Sequence, residues 1–291
     1  MTVLAEPPAL AAAQAHVEAV VARSGTSFGL GMRILPRPRR EAMHAVYAFC
    51  REIDDIADEP APLAHKRREL ALWRAEIEAL FAGRPERPTG QALLGPVARY
   101  GLPRQEFLLL IEGMEWDAEG PILAPSWERL RGYCRRVAGA VGMLSMPIFG
   151  AAPGPASDRF AIAMGEGLQL ANIARDVAED AAEGRLYLPA ELLDAHGVPR
   201  EPQAALAHSG LQAVRAALGA EARARFQAAL KEAPELGWDK VRPALLMYAV
   251  YDLSLRAMER DGFNSLAKPP VSKLAKLGAA LRAALFPQGL A

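Results

Sequence analysis

Two cysteines in 291 residues, Cys50 and Cys134, are too few for a disulfide framework or a zinc site. Both sit in apolar stretches with helical spacing, which points to a reducing compartment, the cytoplasm. Net charge is missing too: 34 Lys and Arg stand against 34 Asp and Glu. There is no basic excess with which to bind nucleic acid. No run approaches the roughly twenty apolar residues of a membrane span. The N-terminus lacks a basic region followed by an apolar stretch and a cleavage site, which argues against a signal peptide. β-branched alternation, the main signal for strands, is scarce. What is present is globular: 51% hydrophobic and 23% charged residues, enough for a sizeable core.

Apolar residues recur at three-to-four spacing almost throughout, so the fold class is all-α. The pattern predicts helices over 10–24, 38–59, 63–82, 103–119, 126–149, 156–183, 202–206, 210–233 and 240–261, with a last one after 271. Pro and Gly punctuate the breaks, at 83–90, 151–155, 184–189 and 268–270. Each break is short enough to join packed helices, and none has the composition of an interdomain linker. One domain over 1–291 is the expectation.

The chain is organised around LQLANIARDVAED, 168–180. Asn172, Asp176 and Asp180 are four apart, with Gln169 three before Asn172, so one helix face is oxygen-rich. Leu170, Ile173, Ala174 and Val177 supply an apolar opposite face. The stretch YAFCREIDDIAD, 47–58, repeats the design. There His44, Tyr47, Arg51, Asp54 and Asp58 follow a 3, 4, 3, 4 rhythm along one stripe, Asp55 lies beside it, and Val46, Phe49, Ile53 and Ile56 fall on the buried side. The two segments are expected to face each other across one pocket.

A lone DxxxD is ordinarily a solvated acidic turn. Here it occurs twice, each time with an arginine at hand, Arg51 or Arg175. Carboxylates one turn apart repel by a few tenths of a kcal/mol, and a cation offsets that. Oxygen-only donors suit a hard ion, magnesium before zinc or copper, with manganese as a substitute. Magnesium keeps several waters and is completed by substrate phosphates, which arginines also bind. Acidic helices, arginines and an apolar interior together suggest ionisation of a diphosphate ester, with water excluded from a carbocation.

Four motifs in order, YAFCREIDDIAD at 47–58, YCRRVAGAVG at 133–142, QLANIARDVAED at 169–180 and GRLYLP at 184–189, resemble the squalene/phytoene synthase family of isoprenyl diphosphate synthases. The resemblance implies an all-helical isoprenoid-synthase fold with a central cavity between two Asp-rich helices. It implies head-to-head condensation of two allylic diphosphates, in which one ionises, the double bond of the other attacks, and proton loss closes a cyclopropane. By position, Asp54 and Asp58 would serve one metal site, and Asn172, Asp176 and Asp180 another. Arg51, Arg175 and Gln169 would hold diphosphate. Tyr133 matches a tyrosine that assists cyclopropanation, by stabilising the cation or by taking up a proton. Tyr133, Val137 and Val141 share a face at i, i+4 and i+8. Gly139 and Gly142 beside them serve either close helix packing or room for a prenyl chain.

Within the family, the stretch from Ser24 to Glu59 looks closest to bacterial presqualene diphosphate synthases of hopanoid biosynthesis. These join two farnesyl diphosphates without NADPH and leave squalene formation to partner enzymes. The other outcomes are phytoene synthesis from geranylgeranyl diphosphate, full squalene synthesis with NADPH, and a non-catalytic assembly protein that kept the fold. Ser27 and Phe28 match a Ser-Phe pair near the diphosphate site, although Ser24 stands where carotenoid-type relatives carry histidine. Tyr251 matches a C-terminal site tyrosine. The basic residues expected after it do not align cleanly, which leaves Lys268 and Lys273 outside the site. Arg185 and Tyr187 belong either to a flap over the diphosphate or to a plain connection. The basic, amphipathic segment 272–291 packs on the domain or else touches the inner membrane surface.

Overall fold

A computed structural model describes residues 8–24 and 28–290. Ser27 and residues 1–7, where a signal peptide would begin, lie outside the described residues. Among the described residues there is no β-strand, only an isolated bridge between Leu123 and Leu186. The helices are α1 (Pro8–Ser24), α2 (Phe28–Arg33), α3 (Arg37–Asp58), α4 (Leu63–Phe81), α5 (Pro88–Tyr100), α6 (Arg104–Ala118), α7 (Trp127–Cys134), α8 (Ala140–Phe149), α9 (Pro155–Ala182), α10 (Ala190–Ala195), α11 (Pro202–Leu206), α12 (Leu211–Leu236), α13 (Trp238–Arg260) and α14 (Lys273–Leu285). The all-α expectation holds.

Helix α3 shows why the pattern was readable. Pro36 and Pro38 pre-set its first turn, where a missing N–H costs nothing. Val46, Phe49 and Ile53 are buried and Ile56 is partly so, as the stripe required. Phe49 meets the edges of Trp73 on α4 and Phe107 on α6, at ring-centroid distances of 5.3 and 5.2 Å. The long helix α9 buries its apolar face, Leu170, Ile173, Ala174 and Val177, and packs along α12. From α12 the buried Arg215 donates to the Ala174 carbonyl at 3.0 Å and to those of Phe263 and Ser265 at 2.7 and 2.8 Å. It ties α9 to the chain that follows α13.

The structure departs from the expected helices in two instructive places. The Pro- and Gly-rich stretch read as a break ends at Pro88, where α5 begins despite Gly90, Gly95 and Pro96. Its start is held from outside: the Glu76 carboxylate on α4 accepts from the backbone N–H groups of Glu86 and Arg87 at 3.0 and 2.9 Å. The helix expected over 126–149 is interrupted by a π-helical turn, Arg135–Gly139, which widens the backbone in the middle of the YCRRVAGAVG motif.

Glycines let this region close up. A Cβ on Gly142 would stand 2.5 Å from the Ala161 carbonyl oxygen, and one on Gly165 would stand 2.5 Å from that of Ala138. Close packing of the π turn and α8 on α9 therefore requires glycine there. Gly142 packs this closely and also lines the apolar pocket between α8, α9 and α13. For Gly139 the nearest atom is an Arg135 side-chain carbon at 3.1 Å.

Candidate active site

Two apolar pockets meet in the centre of the helices. One is lined by Tyr47, Arg51 and Asp54 of α3, Tyr133 of α7, and Gln169 of α9 among its apolar walls. The other runs between α8, α9 and α13, past Phe149, Phe160 and Met164, and is lined towards the acidic face by Asn172 and Tyr251. Met32, Met43, Val137, Val141 and Gln169 line both. The two acidic segments thus border connected apolar space, and Gln169 lies between the compartments. Val137 of the π turn and Val141 of α8 both lie on that shared wall. His44, on the same α3 stripe, is not among the residues lining either pocket.

On α3, Arg51 donates to Asp54 at 3.2 Å and also pairs with Asp55. Burial and the neighbouring Asp58 push the Asp54 carboxyl up to about 6. Asp58, one turn on, accepts from Arg185 at 2.8 Å. On α9, Arg175 donates to Asp176 at 2.7 Å with a second, parallel bond. Burial and Asp176 push the Asp180 carboxyl up to about 7. Arg185 acts on Asp58, Asp180 and Asp117 together, so one guanidinium serves both acidic segments. Arg175 lies 5.9 Å from the centre of the Tyr251 ring.

Lys268 corrects the expectation that left it outside the site. Its ammonium lies 3.6 Å from Asp176 and 2.6 Å from Glu179. The Pro-Pro break after it concealed this, because tertiary contacts such as the Arg215 tie to Phe263 and Ser265 bring the segment back towards α9. Lys273 opens α14 and is exposed. Phe28 opens α2, a helix that packs on α13.

Asp117, at the end of α6, escaped the sequence reading because nothing in WDAEG marks it. Its carboxylate accepts from the Tyr133 hydroxyl at 2.8 Å and the Tyr187 hydroxyl at 3.1 Å. The two rings stack with centroids 5.4 Å apart, each side chain only 6% exposed. Burial drives the Asp117 carboxyl up to about 6, against the pull of the two hydroxyls and Arg185. Burial also pushes both tyrosine hydroxyls above their ordinary value, so they stay protonated. Tyr187 therefore reaches the pocket through Tyr133. The GRLYLP segment is a pinned connection: Leu186 donates to the Ile122 carbonyl and accepts from the Ala124 N–H, each at 2.8 Å, and Leu186 and Leu188 are buried.

Among the described residues no three His, Cys, Asp or Glu side chains converge tightly enough to hold an ion alone. The donors still fit a hard cation whose shell is completed by water and phosphate. The Asn172 side-chain oxygen is buried and accepts no hydrogen bond, one turn before Asp176. Asp54 and Asp180 are raised first by burial and then by like charge, and a cation would offset the second.

The fold and site define a class: an all-helical protein with an apolar cavity beneath two oxygen-rich helix faces. The family model described as squalene/phytoene synthase matches residues 21–276. A presqualene diphosphate synthase of Zymomonas mobilis is 41% identical over 261 residues, which cover 88% of each chain. Another, of Rhodopseudomonas palustris, is 41% identical over 267 residues, 91% of this chain and 92% of that one. The crystal structure of a dehydrosqualene synthase with bound ligand superposes with a TM-score of 0.84 at 26% identity, over 96% of this chain and 98% of that one. This chain belongs to the squalene/phytoene synthase family and has its isoprenoid-synthase helical fold. Members of the family condense isoprenyl diphosphates head to head and use a divalent metal to ionise the diphosphate.

Proposed function

We propose that this chain is a presqualene diphosphate synthase, joining two farnesyl diphosphates to presqualene diphosphate and releasing pyrophosphate. The similarity to the two bacterial presqualene diphosphate synthases supports the choice of product. The observation that carries the mechanism is the pair of apolar pockets with a common wall, one bordered by Arg51 and Asp54 and the other by Asn172 and Tyr251. Each pocket accepts one prenyl chain, with its diphosphate beneath one acidic helix face. The whole chain acts as one domain in this reading.

Asp54 and Asp58, and separately Asn172, Asp176 and Asp180, would hold magnesium, which would supply positive charge to the diphosphate leaving group. Arg51, Arg175, Arg185 and Lys268 already sit on these carboxylates and turn to phosphate oxygens when substrate enters. The Met, Val and Phe walls keep water from the allylic cation. Gln169, lining both pockets, helps hold the diphosphate where the two compartments meet. Tyr133 faces the cation with a neutral ring and hydroxyl. As the cyclopropane closes, the hydroxyl oxygen takes the proton lost from carbon and passes its own to Asp117.

Purified protein with farnesyl diphosphate and magnesium, and no nicotinamide cofactor, should release pyrophosphate. Asp54→Asn or Asp176→Asn should lower that rate at least a hundredfold with helical circular dichroism unchanged. Wild-type protein that binds farnesyl thiodiphosphate with magnesium yet turns over no diphosphate would refute the enzyme reading.

A further inference from the structure

Helix α14 is half covered. Its inner face is alanine: Ala280 and Ala283 pack against Leu246 and Ala249 of α13. The next face of α13 carries Ala244, Met247 and Tyr251, which line the pocket running to Asn172. One helix thus separates α14 from the site. The outer face is Leu274, Leu277, Leu281 and Leu285, followed by Phe286, with Leu274 80% and Leu285 69% exposed. These five make up nearly half of the eleven large hydrophobic side chains exposed among the described residues, so the apolar surface is concentrated here. At 100° per residue the four leucines fall within about 80° of arc, with Lys273 on one side and Arg282 on the other.

Charge is as uneven as hydrophobicity. Residues 262–291 contain Lys268, Lys273, Lys276 and Arg282 and no Asp or Glu, in a chain whose net charge is zero. Lys268 is committed to Asp176 and Glu179. A second copy docked on this face would bring the same cations and no acid from the same segment. Anionic lipid headgroups supply the missing counter-charge, and acyl chains accept the leucines.

We propose that α14 is an interfacial anchor, lying in the plane of an anionic phospholipid surface with its leucine stripe inserted and Lys273 and Arg282 at the phosphates. The surface charge and the stripe carry this on their own. The thirty-carbon amphiphilic product assigned above only gives the anchor a purpose.

Flotation of the full chain with vesicles of phosphatidylcholine, with and without phosphatidylglycerol, tests it. Binding is expected to the mixed vesicles and to weaken at high salt. Lys273→Gln with Arg282→Gln should lower partitioning roughly 25-fold, about fivefold per cation. Leu274→Ser with Leu285→Ser should lower it at least tenfold, with circular dichroism and pyrophosphate release in buffer unchanged. Absence of wild-type binding to mixed vesicles would overturn the proposal. So would a serine variant that floats as well as wild type, or a wild-type dimer that the serine variant dissolves.

Discussion

At the residue scale, Asp117 ties the reaction to the fold. It stands where no spacing rule points, yet both stacked tyrosines donate to it. If Tyr133 and Asp117 pass one proton between them, they act as a unit. Tyr133→Phe and Asp117→Asn should then each lower kcat by a hundredfold or more, and the double variant should be little worse than either. Multiplicative losses in single-turnover rates would contradict the shared step. The carboxyl's raised value has its own consequence. Its folded-state value of about 6 lies above the ordinary carboxyl range, so between about 4 and 6 the folded protein holds the extra proton. This group's contribution to stability is present at low pH and is lost as pH rises through that window. The melting temperature of Asp117→Asn should therefore gain on wild type from pH 4 to pH 6, roughly, and run parallel above it. A constant difference across that range would disprove the assignment.

At the element scale, the sequence was most legible where one face had to be buried. The stripes of α3 and α9 come straight from three-to-four spacing, so both acidic faces follow from the sequence. Three features needed tertiary information. The start of α5 is capped by Glu76 from another helix, which overrides its glycines and proline. The π turn at Arg135–Gly139 has no signature separate from an ordinary helix. Lys268 returns to Asp176 through the Arg215 tie, a contact between residues far apart in the chain. The close approach of α8 to α9 is directly testable. Gly142→Ala drives a methyl into the Ala161 backbone and should cost about 1–3 kcal/mol in denaturant unfolding. Gly278→Ala in α14, with nothing within 4 Å, should instead stabilise by up to about 1 kcal/mol. Equal effects at the two sites would count against the packing account.

For the whole molecule, helices collect acid and arginine on one side of a cavity and hydrocarbon on the other. Pairs such as Arg51–Asp54 and Arg175–Asp176 offset part of the acidic charge in the free protein, and in the proposed reaction substrate and metal replace them together. Thermal unfolding should reflect this linkage: magnesium with farnesyl thiodiphosphate should raise the melting temperature well beyond the sum of the two added singly. A simple sum would argue against a shared site. Motif order named the reaction class, but chain length stayed illegible because it depends on which side chains line the pockets, and Phe149, Phe160 and Met164 lie outside all four motifs. The central claim is therefore tested most directly by product analysis with farnesyl and with geranylgeranyl diphosphate, each with magnesium and with or without NADPH. The account predicts presqualene diphosphate from farnesyl diphosphate, indifferent to NADPH. A forty-carbon product from geranylgeranyl diphosphate alone, or squalene formed only when NADPH is present, would contradict it.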